Sequence, residues 1–95
     1  MKKAAHKWAV SGLDFKQRVF EYRNNALDFA AEAFAANDDQ AILIEERGGF
    51  HSMVLVNDPD GATRIIGDYT DEAKRYLKVR LAHEMGLRNV KDRAA

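Results

Sequence analysis

Cysteine is absent from this 95-residue chain, which excludes a disulfide framework, a thiolate zinc site and a cysteine nucleophile. Serine is almost as scarce. Ser11 and Ser52 are the only two, and neither stands in the strand-to-helix turn of a nucleophile elbow. Proline occurs once, and no low-complexity tract divides the chain, so a single domain over residues 1–95 is expected, with residues 1–10 and 88–95 as loose ends. Long apolar runs are missing too. None approaches the roughly 18 residues a membrane span needs, and the basic start MKKAAHKWAV is broken at once by Ser11, Gly12, Asp14 and Lys16, unlike a signal peptide. A soluble, cytoplasmic protein without a membrane partner is the expectation.

An excess of either charge is lacking as well: 15 Lys and Arg balance 15 Asp and Glu. The distribution is uneven all the same. Residues 37–72 hold nine acids against Arg47 and Arg64, whereas residues 73–95 hold seven Lys or Arg against Glu84 and Asp92. A net-neutral chain is no general polyanion binder, although one basic helix face could still meet an acidic partner or a phosphate backbone.

What is present, at 46% hydrophobic and 32% charged residues, suits an ordinary globular domain. Two apolar segments, AILIEER and FHSMVLVN, meet at Gly48-Gly49, and a third, ATRII, follows the turn Asp58-Pro59-Asp60-Gly61. They predict a three-stranded antiparallel sheet. A two-residue turn with positive φ at both glycines would set Ile44 opposite Met53 and Ile42 opposite Leu55. One face would then carry Ile42, Ile44, Met53, Leu55 and Ile66; the other would carry Ala41, Leu43, Val54, Val56, Ile65 and Phe50. Both faces are apolar, although an antiparallel sheet with one wet side alternates apolar and polar residues.

Before the sheet, Phe15, Val19, Tyr22, Ala26, Phe29 and Ala33 recur at helical spacing, and Ser11 is placed to cap a long amphipathic helix ending near Asn37. After it, Thr70 caps a shorter helix, Asp71 and Glu72 complement its dipole, Ala73, Leu77, Leu81 and Met85 form its apolar row, and Gly86 ends it. The fold class expected is therefore α+β, of order α-β-β-β-α. With both helices on one side of the sheet, the second apolar face needs a cover: the segment with Trp8 and Val10, a second copy in a homodimer, or a different protein.

Sites of chemistry are few. His6, His51 and His83 lie in separate segments without ligand spacing, and Asp58-Pro59-Asp60-Gly61 lacks the further ligands of a calcium loop, so no metal and no cofactor is expected. Glu45 and Glu46 point to opposite faces of a strand and cannot share a proton-transfer task. No catalytic residue is assigned.

The order α-β-β-β-α, and the run Gly67-Asp68-Tyr69-Thr70-Asp71-Glu72-Ala73-Lys74 opening the last helix, resemble the double-stranded-RNA-binding domain, whose last helix opens with a Lys-Lys-x-Ala-Lys run on the RNA phosphates. Only Ala73-Lys74 match that run. Asp71 and Glu72 stand where the family has cations, and acidic groups there repel the backbone that supplies most of the affinity. The resemblance implies a shared topology.

Three functions are carried forward. The first is a small non-enzymatic protein-protein interaction module, a regulator, accessory subunit or inhibitor of the type that phages and plasmids direct at host systems. Its contact residues would come from the basic arc Lys74, Arg75 and Lys78, from Arg23 beside the apolar arc of the first helix, and from Phe50, Val54 and Val56 on the spare sheet face. The second is a nucleic-acid-binding module using Lys74, Arg75, Lys78, Arg88, Lys91 and Arg93. The third is a small metal-dependent or histidine-based enzyme built round His51 and Glu46. Val54→Asp is expected to unfold the chain whichever sheet face is core.

Overall fold

The computed structural model describes residues 7–37, 39–49, 51–85 and 90–93, the last four as backbone. The order is β1 (Trp8–Ser11), β2 (Arg18–Phe20), α1 (Arg23–Ala36), β3 (Ile42–Glu46), β4 (Ser52–Asn57), β5 (Thr63–Gly67), α2 (Asp71–Glu84) and β6 (Val90–Arg93). Strands β1 to β5 form a five-stranded antiparallel sheet in the order β2-β1-β3-β4-β5, and β6 joins its far edge parallel to β5. The class is α+β, but the sheet is not the three-stranded one that the sequence predicts, and the order departs from α-β-β-β-α.

The difference lies in residues 8–20. Residues 8–10, expected as part of a loose end, and residues 12–20, expected as the first turns of a long helix, together form a hairpin, with Trp8 opposite Phe20 and Val10 opposite Arg18, and β1 docks on the outer edge of β3 with Val10 opposite Ile44. Phe15 and Val19 fit a helical spacing, but Trp8, Val10, Val19 and Phe20 fit a strand equally well. The decision falls to β3, which is rich in Ile and Leu and would otherwise present an unpaired edge. Ser11 is accordingly no helix cap; its hydroxyl accepts from Gln17 Nε2 across the hairpin loop at 3.2 Å. Helix α1 starts only at Arg23, after Tyr22 in extended conformation, and its Ala-rich sequence carries it to Ala36. The amide of buried Gln40 then donates to the Ala33 and Asn37 carbonyls and closes its last turn.

From β3 onward the expectation is met more closely. Ile42 pairs with Leu55 and Ile44 with Met53. The turn itself differs: Gly49 N bonds to Glu46 O and only Gly48 takes a positive φ, 81°, so the β3–β4 connection is longer than two residues. On β5 the parity is reversed, since Leu55 pairs with Ile65 and Val54 with Ile66. Ile65 is therefore core and Ile66 is not. Helix α2 begins as predicted, Thr70 accepting from Ala73 N at 3.2 Å. Gly86, assigned to its end, lies outside the described residues.

Both helices cover one face of the sheet. Leu27, Ala30 and Phe34 of α1 and Leu77 and Leu81 of α2 pack with Val10, Ile42, Ile44, Met53, Leu55 and Ile65 into a single core. Full burial of each large aliphatic side chain contributes about 1.5–3 kcal/mol. The helices are also joined by polar contacts. Tyr76 donates to Asp28 at 2.8 Å, and Arg80 lies 3.1 Å from Asp28, 3.8 Å from Glu32 and 2.7 Å from Glu84.

Candidate functional site

Strand pairing fixes which side chains share the face turned away from the helices. With Ile42, Ile44, Met53, Leu55 and Ile65 turned inward, alternation sends Leu43 and Glu45 of β3, Ser52, Val54 and Val56 of β4, and Arg64 and Ile66 of β5 outward, together with Ala9 and Val19 of the hairpin. Val19, Leu43, Val54 and Val56 are half-buried by their neighbours in the sheet, and Ile66 is 41% exposed. Among the described residues no helix lies over this face: the helix side chains of the core all pack on the opposite one. Five strands about 4.8 Å apart, each with two or three outward residues, present a surface of roughly 350 Å². Its apolar part, centred on Leu43, Val54, Val56 and Ile66, is smaller than this footprint, because Glu45, Ser52 and Arg64 share the face.

Polar groups mark two corners of this face. Glu45 sits toward the β3–β4 turn. Arg64 sits diagonally across β4 and is ion-paired with Asp58, whose hydrogen bond holds the guanidinium pKa above its usual value. The middle, formed by Leu43, Val54, Val56 and Ile66, carries no charge.

The residues singled out in the sequence are scattered. Val54 and Val56 lie on the uncovered face, whereas Phe50 falls outside the described residues. Trp8 and Val10, considered as a cover for this face, instead join the sheet and point to the helices. The basic arc does not hold together: Lys74 is only 6% exposed and belongs to the buried side of α2, while Arg75 is exposed and Lys78 half-buried. Arg23 stands at the start of α1, where its Nε donates to Asn24 Oδ1 at 3.1 Å and its side chain borders a shallow depression with Trp8, Tyr22 and Asn24. Arg88 and His6 lie outside the described residues.

His51 and Glu46 are paired through the backbone, Glu46 N donating to His51 O at 3.1 Å, but their side chains do not meet. The His51 ring instead stands edge-on to Tyr69, with Nδ1 3.7 Å from Asp68 Oδ1. Tyr69 packs edge-to-face on Trp8 as well, and its hydroxyl is buried without a hydrogen-bond partner among the described residues. Burial first, and then the Glu46 and Glu45 carboxylates, raise its pKa well above the usual tyrosine value. Among the described residues no group of three or more His, Asp or Glu is placed to hold a metal ion, and no helix is long and apolar enough to cross a membrane.

Val19 and Ile66 escaped the sequence reading. Val19 was absorbed into the helical pattern, and the placement of Ile66 depended on the length of the Asp58–Ala62 loop. No protein-family model, curated protein or solved structure gives a significant match to this chain.

Proposed function

We propose that this protein is a non-enzymatic protein-interaction module that works through the uncovered face of its sheet. One observation carries the reading: Val19, Leu43, Val54, Val56 and Ile66 form an apolar surface with an uncharged centre, on the side of the sheet opposite both helices. Apolar side chains held in a pleated array are pre-ordered for contact, so a partner is bound at small cost in side-chain entropy. The partner is a second copy or another protein. A regulator, accessory subunit or inhibitor acts in this way, by occupying a surface.

The test is a double variant, Val54→Asp with Ile66→Lys, compared with the wild type in solution mass over a wide concentration range and in capture from a lysate. The wild type is expected to self-associate or to retain a protein that the variant loses, with the variant's circular dichroism unchanged. Undiminished association in a folded variant, or a wild type that stays monomeric and captures nothing, removes the proposal.

A further inference from the structure

The loop between β1 and β2 is pinned to α1 and yet holds a leucine in water. Leu13 N donates to Gln40 Oε1 at 3.1 Å, and the Asp14 carboxylate accepts from Asn37 Nδ2. Gln40 is itself buried and bonded to the end of α1, so the loop rests on a fixed support. Between these anchors Leu13 is 82% exposed, more than any other large apolar side chain among the described residues. An apolar side chain displayed on a braced loop loses little entropy when a partner covers it.

Just after Leu13, residues Asp14, Phe15, Lys16 and Arg18 line a groove of about 380 Å³ whose other wall is α1. Its floor is apolar. Phe15 and Phe29 meet edge-to-face at 5.2 Å, with Ala33 and Ala36 beside them. The Arg18 guanidinium lies over the Phe29 ring at 4.8 Å and near the Phe20 ring at 5.8 Å. Stacking fixes the guanidinium plane while leaving its N–H edge able to grip a carboxylate. Among the described residues no carboxylate pairs with Arg18 or Lys16. Among the described residues Asp14 is the one carboxylate lining the groove, and it is engaged by Asn37.

We propose that this groove binds an acidic peptide segment of a partner protein, with a bulky apolar side chain seated on Phe15, Phe29 and Ala33 and a flanking carboxylate held by Arg18 and Lys16. The charge complementarity selects an acidic segment, and the exposed Leu13 extends the apolar contact beyond the groove. The surface is separate from the uncovered sheet face and does not depend on its role.

The test is a titration of the isotope-labelled full chain with the acetylated peptide Glu-Asp-Phe-Glu-Asp-Leu, followed by amide NMR. Saturable shifts are expected at residues 13–18, 29–37 and 40. Arg18→Ala is expected to weaken binding about tenfold, equivalent to about 1.4 kcal/mol, and raising salt from about 0.05 to 0.5 M is expected to weaken it further. Ile66→Lys, on the sheet face, leaves binding unchanged. A peptide with lysine in place of each acid does not bind. Absence of saturable shifts at millimolar peptide, shifts confined to the sheet face, or equal binding of the lysine peptide overturns the proposal. The salt and peptide-charge arms use the wild type, so the outcome stands even if Arg18→Ala fails to fold.

Discussion

Two tyrosines show how differently the same hydroxyl can be held. Tyr76 donates to the Asp28 carboxylate at 2.8 Å across the helix pair, and this hydrogen bond, ahead of burial, raises its pKa. Tyr69 is buried, with no partner for its hydroxyl among the described residues. A buried donor without an acceptor costs desolvation and gains nothing in return. Tyr69→Phe is therefore expected to be neutral or stabilising by up to about 1 kcal/mol, whereas Tyr76→Phe is expected to cost about 1 kcal/mol, both read from urea unfolding. The two shifts also set a pH dependence. Each folded-state pKa lies above the unfolded value of 10.0, so the neutral phenol is favoured in the folded chain. That contribution is complete below about pH 10 and is lost as pH rises through the folded pKa values, because the unfolded chain releases its protons first. Unfolding free energy should fall above about pH 10, and Tyr69→Phe should flatten the fall. An unchanged alkaline slope in Tyr69→Phe would contradict the burial of this hydroxyl.

Among the elements, β4 discriminates most sharply between the two sides of the sheet. Leu55 is fully buried beneath the helices, whereas its neighbour Val54 is half-buried on the uncovered face. Leu55→Asp loses about 1.5–3 kcal/mol of burial and strands a carboxylate in the core, so it is expected to unfold the chain. Val54→Asp is expected to cost about 1 kcal/mol and to fold, which reverses the expectation from sequence that any charge on this strand is fatal. Circular dichroism and thermal melting separate the two. Gly67, at the end of β5, has φ 147°, and a Cβ there would strike the Ser52 carbonyl oxygen of β4. Gly67→Ala should therefore lower the melting temperature by more than Thr70→Ala, which removes one N-cap at a cost of about 1 kcal/mol.

For the molecule as a whole, the balance between covered and uncovered surface is decisive. The helices occupy one side of a five-stranded sheet, and the other presents roughly 350 Å², less than half of the ~800 Å² per partner of a standard interface. Face-to-face association of two copies through this surface alone should accordingly be weak and concentration-dependent. Sedimentation equilibrium over a wide concentration range is expected to show mass rising only at high concentration, and a tight dimer at low concentration would mean that further surface takes part.

Sequence alone carried the argument wherever local pattern and chain connectivity agreed. Thr70 with Asp71 and Glu72 marked the start of α2; the pairing of Ile42 with Leu55 and Ile44 with Met53 followed from alternation across one short turn; and the apolar character of both sheet faces was legible from composition, although which of the two the helices cover was not. The remaining features depended on long-range contacts. Residues 15–20 satisfy a helical and a strand period at once, and the free edge of β3 makes the strand the better partner. Ile65 and Ile66 exchange faces with a shift of one residue in the Asp58–Ala62 loop, which no pattern within the strand can report. Lys74 reads as part of a basic surface arc until α2 is docked, because the packing of a helix on its neighbours, and not its own periodicity, fixes which positions at the margin of its apolar row are covered.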